Sequence, residues 1–227
     1  MTSEQGRADT TSVRRLAVLA ALVLCGLLVV ATALAGPPRL EQKRLRPADM
    51  ALAKRVTLRS SDFPSGWARG QANTQPAQVP HCPGADLDFS AFTITGQARS
   101  AFARGQASVQ SIVEIFKSRR DAVGDFRKAT NPKVIACLGP ELERQGREMG
   151  LDLRVLSSTF AGRPAVGERA FAVRMVISVG AGAGRVRLYM DLLGVQRGRS
   201  GVALYFTGTK PVPGRLAVAR SVAARMR

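Results

Sequence analysis

The stretch "FAVRMVISVGAGAGRVRLYMDLL", Phe171 to Leu193, decides the fold of this chain. Apolar and polar residues alternate in both of its halves, and the glycine-rich segment 180–184 separates them. A period of two is typical of a strand with one buried and one solvent-facing side. The stretch therefore predicts a β-hairpin whose buried side is formed by Phe171, Val173, Met175, Ile177, Val186, Leu188, Met190 and Leu192.

Further elements follow from similar patterns on both sides of this hairpin. Strands are predicted for residues 92–102, 109–116 and 202–206, which are rich in β-branched and aromatic side chains. Helices are predicted over residues 48–58, after Ser118, from about Pro132 and after Pro213. The order predicts an α+β fold, a mostly antiparallel sheet of five to seven strands with helices packed on one face.

The segment 16–35 is a run of twenty residues without a charged side chain. As a helix it would span roughly 30 Å, the thickness of the hydrocarbon core of a bilayer. This length favours one N-terminal transmembrane helix over a secretion signal, whose apolar region has about 7–15 residues. Secretion after cleavage near Ala35 remains an alternative, because Ala33-Leu34-Ala35 matches a signal peptidase site. A lipid on Cys25 is disfavoured, because a bulky Leu24 precedes it.

The position of the apolar segment predicts the topology of the chain. A short N-terminal tail followed by a long domain usually leaves the tail in the cytoplasm. We therefore predict a cytoplasmic tail (1–15), a transmembrane helix (16–35), a basic linker (36–46) and an extracytoplasmic domain (47–227) in a bacterial cell envelope. The expected location is the cell membrane, crossed once.

The chain carries a formal net charge of +18. The first 36 residues contain three Arg, one Asp and one Glu, so +17 remains on the rest. Nucleic acid is a common partner of such proteins, but here the basic residues are scattered and no nucleic-acid-binding motif is present. Anionic lipid or an acidic wall polymer is a simpler partner for a domain beside the membrane.

Cys82 and Cys137 are the two cysteines outside the apolar segment. In an oxidising compartment such a pair favours a disulfide. Two buried free thiols remain the alternative.

Residue types for catalysis are few. His81 is the one histidine and lies in a polar loop, so we interpret it as a solvated residue. Asp86 and Asp88 are close together but lack the spaced acidic partners of a calcium loop. The polar side of the hairpin carries Arg174, Arg185 and Arg187, which could bind an anion or simply form its exposed face. No cofactor and no catalytic set are predicted.

Several short motifs resemble a known group of proteins. The segment "VTLRSSDFPSGW", residues 56–67, looks like the opening of many secreted actinobacterial domains, and "SIVEIF", residues 111–116, follows in a similar order. The chain resembles the extracytoplasmic sensor domains of mycobacterial Ser/Thr kinases and related envelope lipoproteins over residues 47–227. The resemblance implies an extracytoplasmic location, an α+β fold and a disulfide, but no particular ligand.

The sequence therefore predicts a membrane-anchored envelope protein whose outer domain binds an apolar or anionic small molecule, or a partner, without catalysis. Two alternatives are a basic structural domain resting on anionic lipid or wall polymer, and a secreted hydrolase that uses carboxylates. The hydrolase would need an acidic cleft, which is unexpected in a domain of charge +17.

Overall fold

The computed structural model describes residues 40–74, 80, 82–181 and 184–226. Over these residues it has an α+β fold with four α-helices and an eight-stranded, mostly antiparallel sheet. The helices are α1 (Pro47–Val56), α2 (Arg119–Ala129), α3 (Pro132–Glu148) and α4 (Arg215–Arg225). The strands are β1 (Gln42–Lys43), β2 (Ala68–Gly70), β3 (Thr93–Arg104), β4 (Ala107–Phe116), β5 (Leu153–Gly162), β6 (Arg169–Val179), β7 (Val186–Arg197) and β8 (Ser200–Gly208).

The strands follow the spatial order β1-β3-β4-β8-β7-β6-β5, and β2 also pairs with β3. The hairpin predicted from residues 171–193 is confirmed as β6 and β7, which pair antiparallel in continuous register from Arg169 opposite Gln196 to Val179 opposite Val186. The pairing of β1 with β3 is parallel. Residues 42–43 of the predicted basic linker therefore contribute a strand to the sheet.

Helices cover both faces of the sheet, so the prediction of helices on one face is wrong. Helices α1 and α4 pack on one face, which we call the α1/α4 face, against a core that includes Val109, Leu204 and Phe206. Helices α2 and α3 pack on the opposite α2/α3 face, against Phe171, Met175 and Met190 among others. The alternation of polar and apolar residues in β6 and β7 suggested a sheet with one solvent-facing side. The central strands, however, carry apolar residues on both sides, so each face is covered by helices.

The strand count is also higher than predicted. Strand β5 was missed because it is an edge strand whose side chains are mostly exposed, and a bulge between Val155 and Ser157 interrupts its alternation. Strands β1 and β2 are only two and three residues long. Such short strands have no periodicity of their own, so only pairing with β3 defines them.

Local signals at the helix ends agree with the structure. The Ser118 hydroxyl accepts a hydrogen bond from the backbone N–H of Asp121, which caps α2 as predicted. Helix α3 begins at Pro132, and the Asn131 side chain accepts a bond from the N–H of Lys133. The cap of α2 and the proline of α3 thus fix the residues at which these two helices begin.

The motif segment at residues 56–67 has a structural role on the α1/α4 face. Asp62 is almost completely buried and accepts two hydrogen bonds from the Arg225 guanidinium, at 2.7 and 2.8 Å. The Phe63 and Trp67 rings stack with centroids 4.8 Å apart. This segment therefore ties the C-terminal end of α4 to the chain that follows α1.

Candidate functional site

A cavity lies on the α2/α3 face, between α2, the start of α3 and the centre of the sheet. Its volume is about 160 Å³. One water molecule needs about 10–15 Å³ on the same measure, so the space could hold on the order of ten waters or a small organic molecule. The residues before and within β1 form another part of its wall.

Small residues on the central strands create this space. Gly194 of β7 lies opposite Ala203 of β8, and Gly201 lies opposite Glu114 of β4. A Cβ atom at Gly194 would come within 1.9 Å of the Phe171 ring, so this ring lies directly against the β7 backbone. The sheet surface beneath α2 is therefore recessed.

The apolar part of the wall comes from both layers. Phe126 of α2 and Phe171 of β6 meet edge to face, with ring centroids 5.7 Å apart. Further apolar lining is supplied by Ile112, Leu138, Leu192 and Ala203. Such a wall favours the apolar body of a ligand, because the ligand leaves water without having to form new hydrogen bonds there.

The charged part of the wall contains three carboxyl groups and two cations. The carboxyl groups belong to Glu41, which precedes β1, to Glu114 of β4 and to Asp125 of α2. Gln97 Nε2 donates a hydrogen bond to Glu114 Oε1 at 2.9 Å. The cations are Lys43 and Arg99, and Arg99 also donates to the Asn73 carbonyl oxygen at 2.8 Å.

Burial raises the pKa of each of these carboxyl groups. The pKa of Glu41 rises from 4.5 to about 7, because burial and the nearby Glu114 disfavour its charged form. Burial likewise raises the pKa of Glu114, although the Gln97 hydrogen bond, Lys43 and Arg99 oppose the rise. The pKa of Asp125 lies well above its usual value because of burial, Glu114 and Glu41.

Surface carboxyl groups of the same protein behave in the opposite way. A hydrogen bond from Lys128 lowers the pKa of Asp86, and one from Arg119 lowers that of Glu168. The cavity thus favours the protonated forms of its carboxyl groups, in a strongly basic protein.

The raised pKa of Glu41 predicts a pH-dependent effect of Glu41→Gln. A carboxyl group whose pKa is higher in the folded state stabilises the fold below its unfolded pKa, and this contribution is lost as the pH rises through the folded pKa. Wild type and variant should therefore be equally stable near pH 4. Above pH 7 the variant should be more stable by about 2 kcal/mol, allowing for partial solvent screening.

Chemical denaturation at pH 4, 6 and 8 measures this difference. Glu168→Gln is the matched control, because its carboxyl pKa is lowered. That variant should lose stability relative to wild type above pH 5. A Glu41→Gln effect that is constant with pH would contradict the raised pKa.

The structure pairs Cys82 with Cys137 in a disulfide, as predicted, with the Cα atoms 5.5 Å apart. The bridge joins the loop before β3 to the second turn of α3. Cys82 packs in a small apolar cluster with Leu87, Phe89 and Val134. Because Val134 also lines the cavity, this cluster supports one end of the candidate site.

The three arginines of the hairpin lie outside this cavity. Arg174 Nε donates to Asp191 Oδ1 at 2.8 Å, and Arg215 of α4 binds the other oxygen of the same buried carboxylate. Arg185 pairs with Asp152 at 2.5 Å. Arg187 is exposed, opposite Ser178 in the register. All three sit on the α1/α4 face, and an anion site there stays a prediction.

The two aspartates considered as cation ligands are engaged in a turn. Asp86 Oδ2 accepts from Lys128 Nζ at 2.7 Å, and Asp86 Oδ1 accepts from the N–H of Asp88 at 3.1 Å. Within the described ranges no group of three or more His, Cys, Asp or Glu side chains could hold a metal ion. His81 and the uncharged segment 16–35, which contains Cys25, lie outside the described residues. Among the helices that the structure describes, none is long and apolar enough to cross a membrane.

Sequence reasoning missed the carboxyl groups of the cavity. One signal was present, since Glu114 interrupts the otherwise apolar strand segment "IVEIF", residues 112–116. An acidic residue inside such a strand needs a partner or a cavity. Glu41 and Asp125 had no comparable signal, because each lies in a polar stretch of sequence.

Comparison with known proteins shows similarity at the level of solved structures. Neither a family model nor a curated protein matches the chain. The extracellular domain of PknH from Mycobacterium tuberculosis is similar with 14% identity and a TM-score of 0.44, over 81% of this chain and 96% of that domain. The Rv0999 ortholog of Mycobacterium smegmatis is similar with 11% identity and a TM-score of 0.44, over 78% and 97% of the two chains.

Proposed function

We propose that this protein is a sensor-like envelope protein whose extracytoplasmic domain binds a small ligand in the cavity beneath α2, without catalysis. The observation that carries the proposal is the cavity itself, which combines an apolar wall with convergent charged groups. Few sites of this kind occur in one domain, and they are the usual place for small-molecule binding.

Two features support the extracytoplasmic location. The disulfide between Cys82 and Cys137 is of a kind that persists in oxidising compartments. The uncharged segment 16–35 has the length of a membrane span and precedes the folded domain. We propose that this segment anchors the protein in the membrane with the N-terminus in the cytoplasm.

The acidic cavity meets one requirement of the hydrolase alternative. General acid–base hydrolysis by two carboxyl groups, however, needs one group protonated and the other ionised, so their environments must shift the two pKa values apart. In this cavity the pKa values of Glu41, Glu114 and Asp125 all shift upward. The arrangement therefore supports binding better than hydrolysis.

The basic polymer- or lipid-binding alternative is favoured by a different surface. Arg154 and Arg187 both lie opposite Ser178, and Arg174 lies further along the same α1/α4 face. The side chains of Arg154 and Arg174 are 69% and 45% exposed. Binding to anionic vesicles that weakens with added salt would support this second function.

Filling the cavity tests the proposed function. Ala203 lines it from β8, and Ala203→Leu would add three carbon atoms to the cavity wall. Ala161→Leu is the matched control, because Ala161 is exposed on the edge strand β5. The probe is benzyl alcohol, which has eight non-hydrogen atoms and suits the volume.

The measurement uses the full chain in nanodiscs of zwitterionic lipid, with empty discs as the blank. Benzyl alcohol should shift the NMR signals of Phe126 and Phe171 in a saturable way in the wild type and in Ala161→Leu. Ala203→Leu should weaken this binding at least tenfold. Equal binding by all three proteins would place the probe elsewhere and contradict the proposal.

A further inference from the structure

The cavity wall holds more acidic than basic side chains, unlike the protein as a whole. The chain as a whole carries +18. Among the described lining residues, three carboxyl groups face two cations. Lys43 and Arg99 both act electrostatically on Glu114, and Lys43 also acts on Glu41. These two cations can therefore balance two of the three carboxylates.

Asp125 is the carboxyl group that remains without a match. No hydrogen bond or ion pair to its side chain is present among the described residues, and every influence on its charge raises its pKa. Asp125 is half-buried and lines the cavity. A half-buried carboxyl group without a protein partner leaves its hydrogen-bonding capacity to water or to a ligand.

Aromatic and aliphatic side chains line the same cavity as this carboxyl group. Phe126 follows Asp125 on α2, and Phe171 meets Phe126 edge to face. Leu138 of α3 completes this part of the wall. Aromatic rings attract cations as well as apolar groups, because their faces carry partial negative charge. A cavity lined by both a carboxyl group and aromatic rings therefore suits a cation that carries an apolar body.

We propose that the cavity binds a protonated amine whose ammonium group pairs with Asp125 and whose apolar or aromatic body, of about ten non-hydrogen atoms, packs against Phe126 and Phe171. This inference rests on the proposed ligand-binding function and specifies the class of ligand. An anionic ligand would add negative charge beside three carboxyl groups whose ionisation is already disfavoured.

The proton balance of the binding step follows from the state of Asp125. In the empty cavity the raised pKa of Asp125 favours its protonated form, whereas an ammonium group pairs best with a carboxylate. Binding therefore ionises Asp125 and releases one proton to the solvent, while the ammonium keeps its own protons. Glu41 and Glu114, whose pKa values are also raised, line the same cavity and contribute to the total number of protons released. Lys43, Arg99 and Tyr205 line it as well.

Three matched probes test the ligand class: benzylamine, benzyl alcohol and benzoate. They share the ring but carry a positive, neutral or negative group at neutral pH. Isothermal titration of the full chain in nanodiscs at pH 7 should show that benzylamine binds at least tenfold more tightly than benzoate. The heat should change between phosphate and Tris buffers, because these buffers take up the released proton with different enthalpies.

Asp125→Asn removes the charge with little change of shape. It should weaken benzylamine binding about tenfold or more, abolish most of the proton release and leave benzyl alcohol binding within about twofold. Asp86→Asn is the matched control, since Asp86 is exposed and pairs with Lys128 outside the cavity. This control should leave all three affinities unchanged.

The outcomes separate this inference from the function on which it rests. If benzyl alcohol or benzoate binds in a way that Ala203→Leu weakens, and benzylamine binds no better, the cavity is a ligand site but the amine class is wrong. If benzylamine binds equally well to wild type and Asp125→Asn, the role of Asp125 is wrong. If none of the three probes binds, both proposals fail.

Discussion

Replacement of both bridge cysteines, Cys82→Ser with Cys137→Ser, is expected to lower the free energy of unfolding by about 4 kcal/mol. The disulfide joins residues 55 apart in sequence, and closing a loop of this length removes conformational entropy from the unfolded chain. The native state also loses a contact in the apolar cluster of Leu87, Phe89 and Val134. We therefore expect the loop before β3 to lose its fixed position against α3.

Urea denaturation of the oxidised protein and the double variant measures this effect. Cys25→Ser is the control, because the bridge joins Cys82 to Cys137 and leaves Cys25 out. Thiol labelling of the unfolded, unreduced wild type should modify neither Cys82 nor Cys137. Labelling of both residues, or an unchanged urea midpoint in the double variant, would contradict the bridge.

Gly96→Ala is expected to destabilise the fold by about 3 kcal/mol. A Cβ atom at Gly96 of β3 would come within 2.3 Å of the Asp49 carbonyl oxygen and 2.9 Å of the Met50 backbone nitrogen. Both atoms belong to the backbone of α1, so no side-chain rotation could relieve the clash and the helix would have to move. Its movement would disturb the ion pair between the buried Asp49 and Arg199.

Gly70→Ala is the control for this substitution. Gly70 lies on β2, which also pairs with β3, and its Cβ would find its nearest neighbour at an ordinary 3.8 Å. Its stability should change by less than about 0.5 kcal/mol. Thermal unfolding followed by circular dichroism compares the two variants. Equal stabilities for both would show that α1 does not approach β3 as closely as the structure indicates.

Strong local patterns made part of this fold predictable. The alternation in residues 171–193 identified β6 and β7, because a strand that is buried on one side needs an apolar residue at every second position. Ser118 and Pro132 marked the starts of α2 and α3, because both residues satisfy the special backbone geometry of a helix N-terminus. No such signal showed that helices cover both faces of the sheet, because the pattern of residues in a strand does not reveal which helix packs against it.

The candidate site could be predicted only in small part. Glu114 was visible as an acid inside an apolar strand, but Glu41 and Asp125 looked like ordinary surface residues. They line the same cavity because β1 pairs with β3 and α2 packs over the central strands. The volume of the cavity depends on the small residues Gly194, Gly201 and Ala203. Only the pairing of β4, β7 and β8 brings these three residues together.

The sequence alone predicted the α+β class, the central hairpin and the pairing of Cys82 with Cys137, because each depends on residue types at short, regular spacings or on a single available partner, and the structure confirmed all three. The tertiary structure alone decided that helices cover both faces of the sheet and that three carboxyl groups share one cavity. The physical reason is that the backbone of a strand or helix sets the spacing of its buried residues along the sequence. The burial and the pKa of a side chain are instead set by groups that distant parts of the chain bring next to it.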